Sequence, residues 1–152
     1  MVFIKMPVLR SWRIPIDGGK TLRDGKRVFG DNKTWKGFFG MIATTSVSAW
    51  LFWRGAFPLS FLRGAWLGLA YVLFELPNSF VKRRLDIQPG KNGCAIQTFF
   101  DQTDSVIGYI AFMPLVYPLS WAEAAGIFVI AGVSHYIINI LLFYAKLRGQ
   151  KG

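Results

Sequence analysis

The sequence predicts an all-α integral membrane protein with about four transmembrane helices and cytoplasmic polar loops that carry its site. Three observations lead there. The chain is 53% hydrophobic and 16% aromatic, yet its net charge is +10, a pairing that suits a membrane protein with one basic, water-facing side. Four apolar stretches recur along it. The basic residues crowd to one side of those stretches.

The first stretch covers residues 37–53, "GFFGMIATTSVSAWLFW", and the second residues 58–76, "PLSFLRGAWLGLAYVLFEL", with Arg63 near its start. The third covers 106–121, "VIGYIAFMPLVYPLSW", and the fourth 124–145, "AAGIFVIAGVSHYIINILLFYA". A spanning helix needs roughly 20 apolar residues. The fourth meets this, and the second does so with Arg63 snorkelling to the interface. The first and third are short. Pro114 and Pro118 predict kinks in the third, whose Pro, Trp and Tyr content still suits a membrane helix.

Counting charge by side fixes the topology. With four spans, 16 of the 18 Lys and Arg residues share one face, and the other keeps only Arg54 and Arg63. The positive-inside rule then places both termini in the cytoplasm of a multi-pass protein of the cytoplasmic membrane. The organisation that follows is a basic cytoplasmic segment at 1–36 with a Gly-rich loop, then a membrane domain at 37–152 with a cytoplasmic loop at 77–105. The opening "MVFIKMPVLRSWRIPID" has short apolar patches broken by Lys5, Arg10 and Arg13, so no signal peptide is expected. One cysteine, Cys94, excludes an internal disulfide framework and a multi-cysteine metal site.

Polar residues gather in four places. In "PIDGGKTLRDGKRVFGDNKTWKGF", from Pro15, glycines allow close backbone approach, and Lys33, Thr34 and Lys36 could hold phosphate oxygens. The glycine and lysine spacing is not that of a Walker A loop. A basic juxtamembrane loop drawn to anionic headgroups explains the same residues. In "ELPNSFVKRRLDIQPGKNG", from Glu75, Pro77 predicts a break or a new helix start. A restart there clusters Glu75, Asn78, Ser79 and Lys82 beside Arg83 and Arg84. A stop-transfer cluster accounts for the cations but does not require Glu75, Asn78 or Ser79.

In "FFDQTDSVIGY", from Phe99, Asp101 and Asp104 are three apart and share a helix face. They are expected at the N-terminal end of the third helix, where the dipole favours carboxylates. A pair of carboxylates suits Mg²⁺, which waters and substrate phosphates would complete. Ordinary N-capping by one aspartate is the alternative. In the fourth stretch, Ser134, His135 and Asn139 read first as hydrogen-bonding glue between helices. One histidine cannot build a catalytic triad or a histidine metal site.

Taken together, "GDNKTWKGF" at 30–38, "ELPNSFVKRRLDIQPG" at 75–90 and "DQTDS" at 101–105 resemble the motifs of the CDP-archaeol synthase family. That family lies within the wider group of CDP-diacylglycerol synthases. The resemblance covers roughly residues 14 to 145. It implies a nucleotidyltransferase: CTP and a lipid phosphate, archaetidic or phosphatidic acid, would give a CDP-lipid and pyrophosphate for phospholipid biosynthesis. It also implies residue roles. Asp101 and Asp104 would bind Mg²⁺, and Lys82 and Arg83 would hold phosphates. Asp31, Lys33, Thr34 and Lys36 would shape the CTP site. Glu75, Asn78 and Ser79 would order the centre, Glu75 joining Lys82 and the aspartates as catalytic. His135 and Asn139 are similar to a His-x-x-x-Asn pair in the family's last helix. The family pattern has a further hydrophobic helix before the "PID" segment; here that stretch is expected to be absent or a short interfacial piece, "MVFIKMPVL".

The expected partners are CTP, a lipid phosphate, the membrane and a second copy of the chain in a homodimer; nucleic acid is not among them. A non-catalytic membrane protein that binds anionic lipid would explain the charge but leaves Asp101, Asp104 and Glu75 without a role. A transporter would place ionisable groups at the midplane, where only His135 stands.

Overall fold

The computed structural model describes residues 14–53, 57–89 and 93–145, so the N-terminal interfacial piece, Lys91 and the basic C-terminus lie outside the described residues. Four helices follow one another: α1 Trp35–Phe52, α2 Leu59–Arg84, α3 Ala95–Phe112 and α4 Trp121–Tyr144. The 14–34 segment ahead of them is a loop pinned by isolated bridges, Pro15 to Thr34 and Thr21 to Arg27.

Local chemistry explains each boundary. Thr34 caps α1, its side chain accepting from the Gly37 N–H at 3.2 Å. Ser120 and Glu123 close a reciprocal capping box at the start of α4. A short 3₁₀ turn, Met113–Leu115, ends α3 at Pro114, whose ring cannot continue the α-helical bonding.

Two sequence expectations are corrected. Pro77 does not break the second helix: α2 runs through it to Arg84. Proline is tolerated inside apolar membrane helices; beside it, Ser79 Oγ donates back to the Glu75 carbonyl at 3.0 Å. The three cations at 82–84 therefore form the helix's last turn, where they complement the dipole. Residues 77–84 and 95–105 of the expected loop are accordingly helical. The third helix is displaced toward the N-terminus, starting after Cys94 rather than at 106, and the chain from 116 to 120 is not helical. An apolar-run reading missed its first half because that half is two-faced. Gln97, Thr103, Asp104 and Ser105 are buried, while Ile96, Phe99 and Phe100 point outward.

Many large apolar side chains face out across the bundle, Phe52 at 84% and Trp121 at 93% exposure, while the interior holds serines, threonine and amides beside a small apolar core of Leu67, Ala70, Val72 and Val106. Such a protein has hydrocarbon rather than water around it. Among the described residues, α2 and α4 are long and apolar enough to cross a membrane. Arg63, early in α2, lies over the Trp53 ring at 5.8 Å, as an interfacial cation would.

Small residues bring the helices together. A Cβ on Gly64 would sit 2.6 Å from the Ala49 Cβ and 2.7 Å from the Ser46 Cα, and one on Gly68 2.9 Å from the Ile42 Cα. Gly64 and Gly68 thus form a small-xxx-small seam that seats α1 directly on α2. On α2's other side α3 packs, and α4 packs on α3.

Candidate functional site

The facing ends of α2 and α3 build the site. Asn78, Lys82 and Arg83 ride the last turns of α2, and Gln97, Asp101 and Asp104 lie within α3. Asn78 is the hub. Its amide nitrogen donates to Asp101 Oδ1 and to Asp104 Oδ2, each at 2.8 Å. Lys82 Nζ meets Asp101 Oδ2 at 2.5 Å. The other Asp104 oxygen accepts from the Ser105 N–H at 2.6 Å and the Ser105 hydroxyl at 2.9 Å. Two carboxylates are thereby held side by side, mostly buried, by one shared donor and one cation.

The helix position of the aspartates corrects one expectation. Cys94 is the N-cap, and Asp101 and Asp104 sit roughly two and three turns beyond it. They are neither caps nor first-turn dipole partners. The dipole falls off within the first turn, so Lys82 and the hydrogen bonds supply the stabilisation instead.

The loop supplies the other wall. Lys33 reaches Glu75 Oε2 at 2.9 Å, joining the first polar stretch to the second. Asp31 pairs with Arg27 at 2.6 Å and is largely exposed. Thr34 is the α1 cap and Lys36 is buried in the first turn of α1. Between loop and α2 lies an open cleft of about 260 Å³, lined by Lys26, Gly30, Asp31, Arg83, Asp86 and Pro89 among others. Arg83 is 8% exposed, and its buried Nε has no hydrogen-bond partner. An anion entering the cleft would meet that guanidinium. Gly30 makes the approach possible: its φ is +94°, and a Cβ there would press on the Arg83 side chain at 3.4 Å.

Asp17 shapes the loop from within. Its buried carboxylate accepts from the N–H groups of Gly19, Phe29 and Gly30 at 3.0–3.1 Å and from Arg27 Nη2 at 2.6 Å. Burial alone would raise its pKa. The Arg27 guanidinium and the three backbone donors outweigh burial and hold the carboxyl well below the usual carboxylate range.

His135 and Asn139 join none of this. The His135 Nδ1 lies 3.1 Å from the Gln102 carbonyl, to which an Nδ1–H donates, so it ties α4 to α3. Asn139 is buried on α4. Sequence reasoning missed Gln97, which donates to Asn78 Oδ1 and approaches Asp101 Oδ1 at 3.5 Å. Its place four residues before Asp101 was the available signal. Asp17 was also missed, although Asp-Gly-Gly is an Asx-turn signature.

The donor set suits a hard divalent cation. Among the described residues no three His, Cys, Asp or Glu side chains converge. The protein side of such a site would be the two carboxylates, whose oxygens accept from Asn78, Lys82 and Ser105 in this structure.

Comparisons with known proteins agree on the kind of protein. The family model for CarS-like proteins, CDP-archaeol synthase, matches residues 6–150. The CDP-archaeol synthase of Pyrococcus furiosus is 33% identical over 151 residues, covering 93% of this chain and 86% of that protein. That of Methanoculleus marisnigri is 35% identical over 149 residues, covering 88% and 87%. A solved structure, described as structural insight into an intramembrane enzyme for archaeal membrane lipids biosynthesis, is similar with a TM-score of 0.66 and 28% identity. It covers 90% of this chain and 85% of that one.

Proposed function

That the chain belongs to the CDP-archaeol synthase family is the premise from which we propose that it transfers the cytidylyl group of CTP to an archaetidic-acid-type lipid phosphate. It is a membrane-embedded cytidylyltransferase enzyme. The observation that carries the reading is the cluster of Asp101 and Asp104 bridged by Asn78 and flanked by Lys82, next to the cleft that Arg83 lines.

In this reading the lipid phosphate oxygen attacks the α-phosphorus of CTP. A new P–O bond forms, the bond from the α-phosphorus to the α,β-bridging oxygen breaks, and pyrophosphate leaves with that oxygen. Phosphoryl chemistry asks little covalent help of a protein; it asks for alignment and charge neutralisation. Lys82 and Arg83 hold phosphate oxygens. Asp31, Lys33, Thr34 and Lys36 shape the nucleotide wall, Thr34 through its cap on α1. Glu75 fixes Lys33, and Asn78 and Ser79 order the α2 side. Asp101 and Asp104 would hold Mg²⁺, which when bound supplies charge neutralisation for the triphosphate.

The reading includes four spans with both termini in the cytoplasm. At 18 residues α1 is about 27 Å long, close to the hydrocarbon thickness of about 30 Å; α3 carries Asp101 and Asp104 at the site and would cross with the apolar stretch that begins at Val106. It also includes pairing of two copies through short, glycine-containing helices.

The test is purified protein with labelled CTP and Mg²⁺, offered archaetidic acid or phosphatidic acid. Label should enter the archaetidic lipid, with pyrophosphate released in equal amount. Label entering neither lipid would remove the enzyme reading. Label entering phosphatidic acid preferentially would change the lipid.

A further inference from the structure

Two cations outside the phosphate-holding set, Arg84 of α2 and Lys26 of the loop, do something else. The Arg84 guanidinium donates through Nη1 to Asp24 Oδ2 at 2.6 Å and through Nη2 to the Arg27 carbonyl. It also lies over the Phe80 ring of its own helix at 5.0 Å. From the opposite direction, Lys26 Nζ donates to the Arg84 carbonyl at 2.9 Å and to Asp86 Oδ2 at 2.7 Å. These contacts bridge 57 to 60 residues of sequence. All fall on residues 24–27, just before the 30–36 wall.

We infer that Arg84, with Lys26, is a positioning latch that docks the 24–27 turn on the C-terminus of α2 and so sets the nucleotide wall over Arg83. The inference rests on the nucleotide reading above. Three physical arguments support it. Arg84 is bonded to both a carboxylate and a backbone carbonyl, which fixes its plane and therefore the loop's orientation, where a single exposed pair would add little. Lys26 caps a carbonyl in the last turn of α2, a group the helix itself leaves unsatisfied. Asp17 then carries the constraint onward, since Arg27, Phe29 and Gly30 all converge on its carboxylate. Arg84 itself touches no reacting atom in this scheme. Its effect is on where the wall stands.

The test compares Arg84→Gln, Arg84→Lys and Asp24→Asn in the full-length protein. Two readouts are taken: backbone hydrogen exchange across residues 14–34, and separate KM values for CTP and lipid phosphate. Loss of a hydrogen-bonded charge implies about tenfold faster loop exchange and about tenfold higher KM for CTP in Arg84→Gln. The KM for lipid and kcat at saturating CTP should move less than about threefold. Arg84→Lys should fall between wild type and Arg84→Gln, because it keeps the charge but lacks the planar fork of two nitrogens that fixes the geometry. Asp24→Asn, at an exposed side chain, should shift both readouts in the same direction, and it keeps the test readable should Arg84→Gln fail to fold. Unchanged exchange in Arg84→Gln and Asp24→Asn would overturn the latch. Faster exchange with an unchanged KM for CTP would instead remove the nucleotide-wall reading on which the inference rests.

Discussion

Replacing Asp17 with alanine should loosen the 14–34 loop without unfolding the helices. The carboxylate accepts five hydrogen bonds: two from Arg27 and one each from Gly19, Phe29 and Gly30. Arg27 keeps Asp31 as a partner, and the Gly19 and Phe29 N–H groups are partly open to water. The Gly30 N–H is buried, and leaving it unsatisfied costs about 1–3 kcal/mol. Adding one charge-assisted bond of about 1.5–3 kcal/mol gives a local destabilisation of about 2.5–6 kcal/mol. At 1.4 kcal/mol per decade, the opening equilibrium should rise by roughly 100-fold or more. Hydrogen exchange of peptides from 14–34 reads this directly, with α2 peptides as the internal reference. Protection changing by less than about threefold would show that the five bonds do not order the loop. The pH behaviour has a definite sign. The folded carboxyl is held below its ordinary value, so its stabilisation is fully present above the ordinary carboxylate pKa and is lost as pH falls through the depressed one. Loop protection should therefore be flat around neutrality and collapse only in strong acid, and the alanine variant should lack that acid transition.

Asp101→Asn and Asp104→Asn keep shape and remove charge; each should lower CDP-lipid formation by roughly 100-fold or more while the protein still inserts into membranes. Full activity in both would move the metal site elsewhere. Gly64→Ala should lower the thermal midpoint in detergent, since its Cβ meets backbone and Cβ atoms of α1 at 2.6–2.7 Å and overpacking costs about 1–3 kcal/mol. Gly132→Ala, with nothing within 4 Å, should leave the midpoint unchanged or raise it. Equal shifts at both positions would argue against the tight α1–α2 seam.

The membrane character was legible because it rests on composition and charge, which tertiary structure does not alter. The first and fourth helices were placed to within a few residues because their apolar runs are continuous. The second and third were misplaced for one reason. Both pass from an apolar environment into a polar site without leaving the helix, so hydropathy changes where structure does not. Pro77 reinforced the error by carrying a signal that a membrane helix can absorb. That Asp101 and Asp104 share a helix face was legible from spacing, which left capping open as the alternative. The roles of Asn78 as shared donor, Gln97 as its support and Arg84 as anchor were not. Each depends on a contact between segments separated by 19 or more residues; spacing within one helix marks at most a shared face, as it does for Gln97 and Asp101.

The uninterrupted course of α2 works as a depth gauge. Its 26 residues measure about 39 Å, against a hydrocarbon core of about 30 Å. Set across a bilayer from Leu59, the rod emerges near its last two turns, so Lys82 and Arg83 stand at headgroup level. On the proposed function, a lipid phosphate would already lie at that height and a nucleotide would arrive there from water, so neither reactant would have to change phase and the tails would stay in the oil while the headgroup is rebuilt.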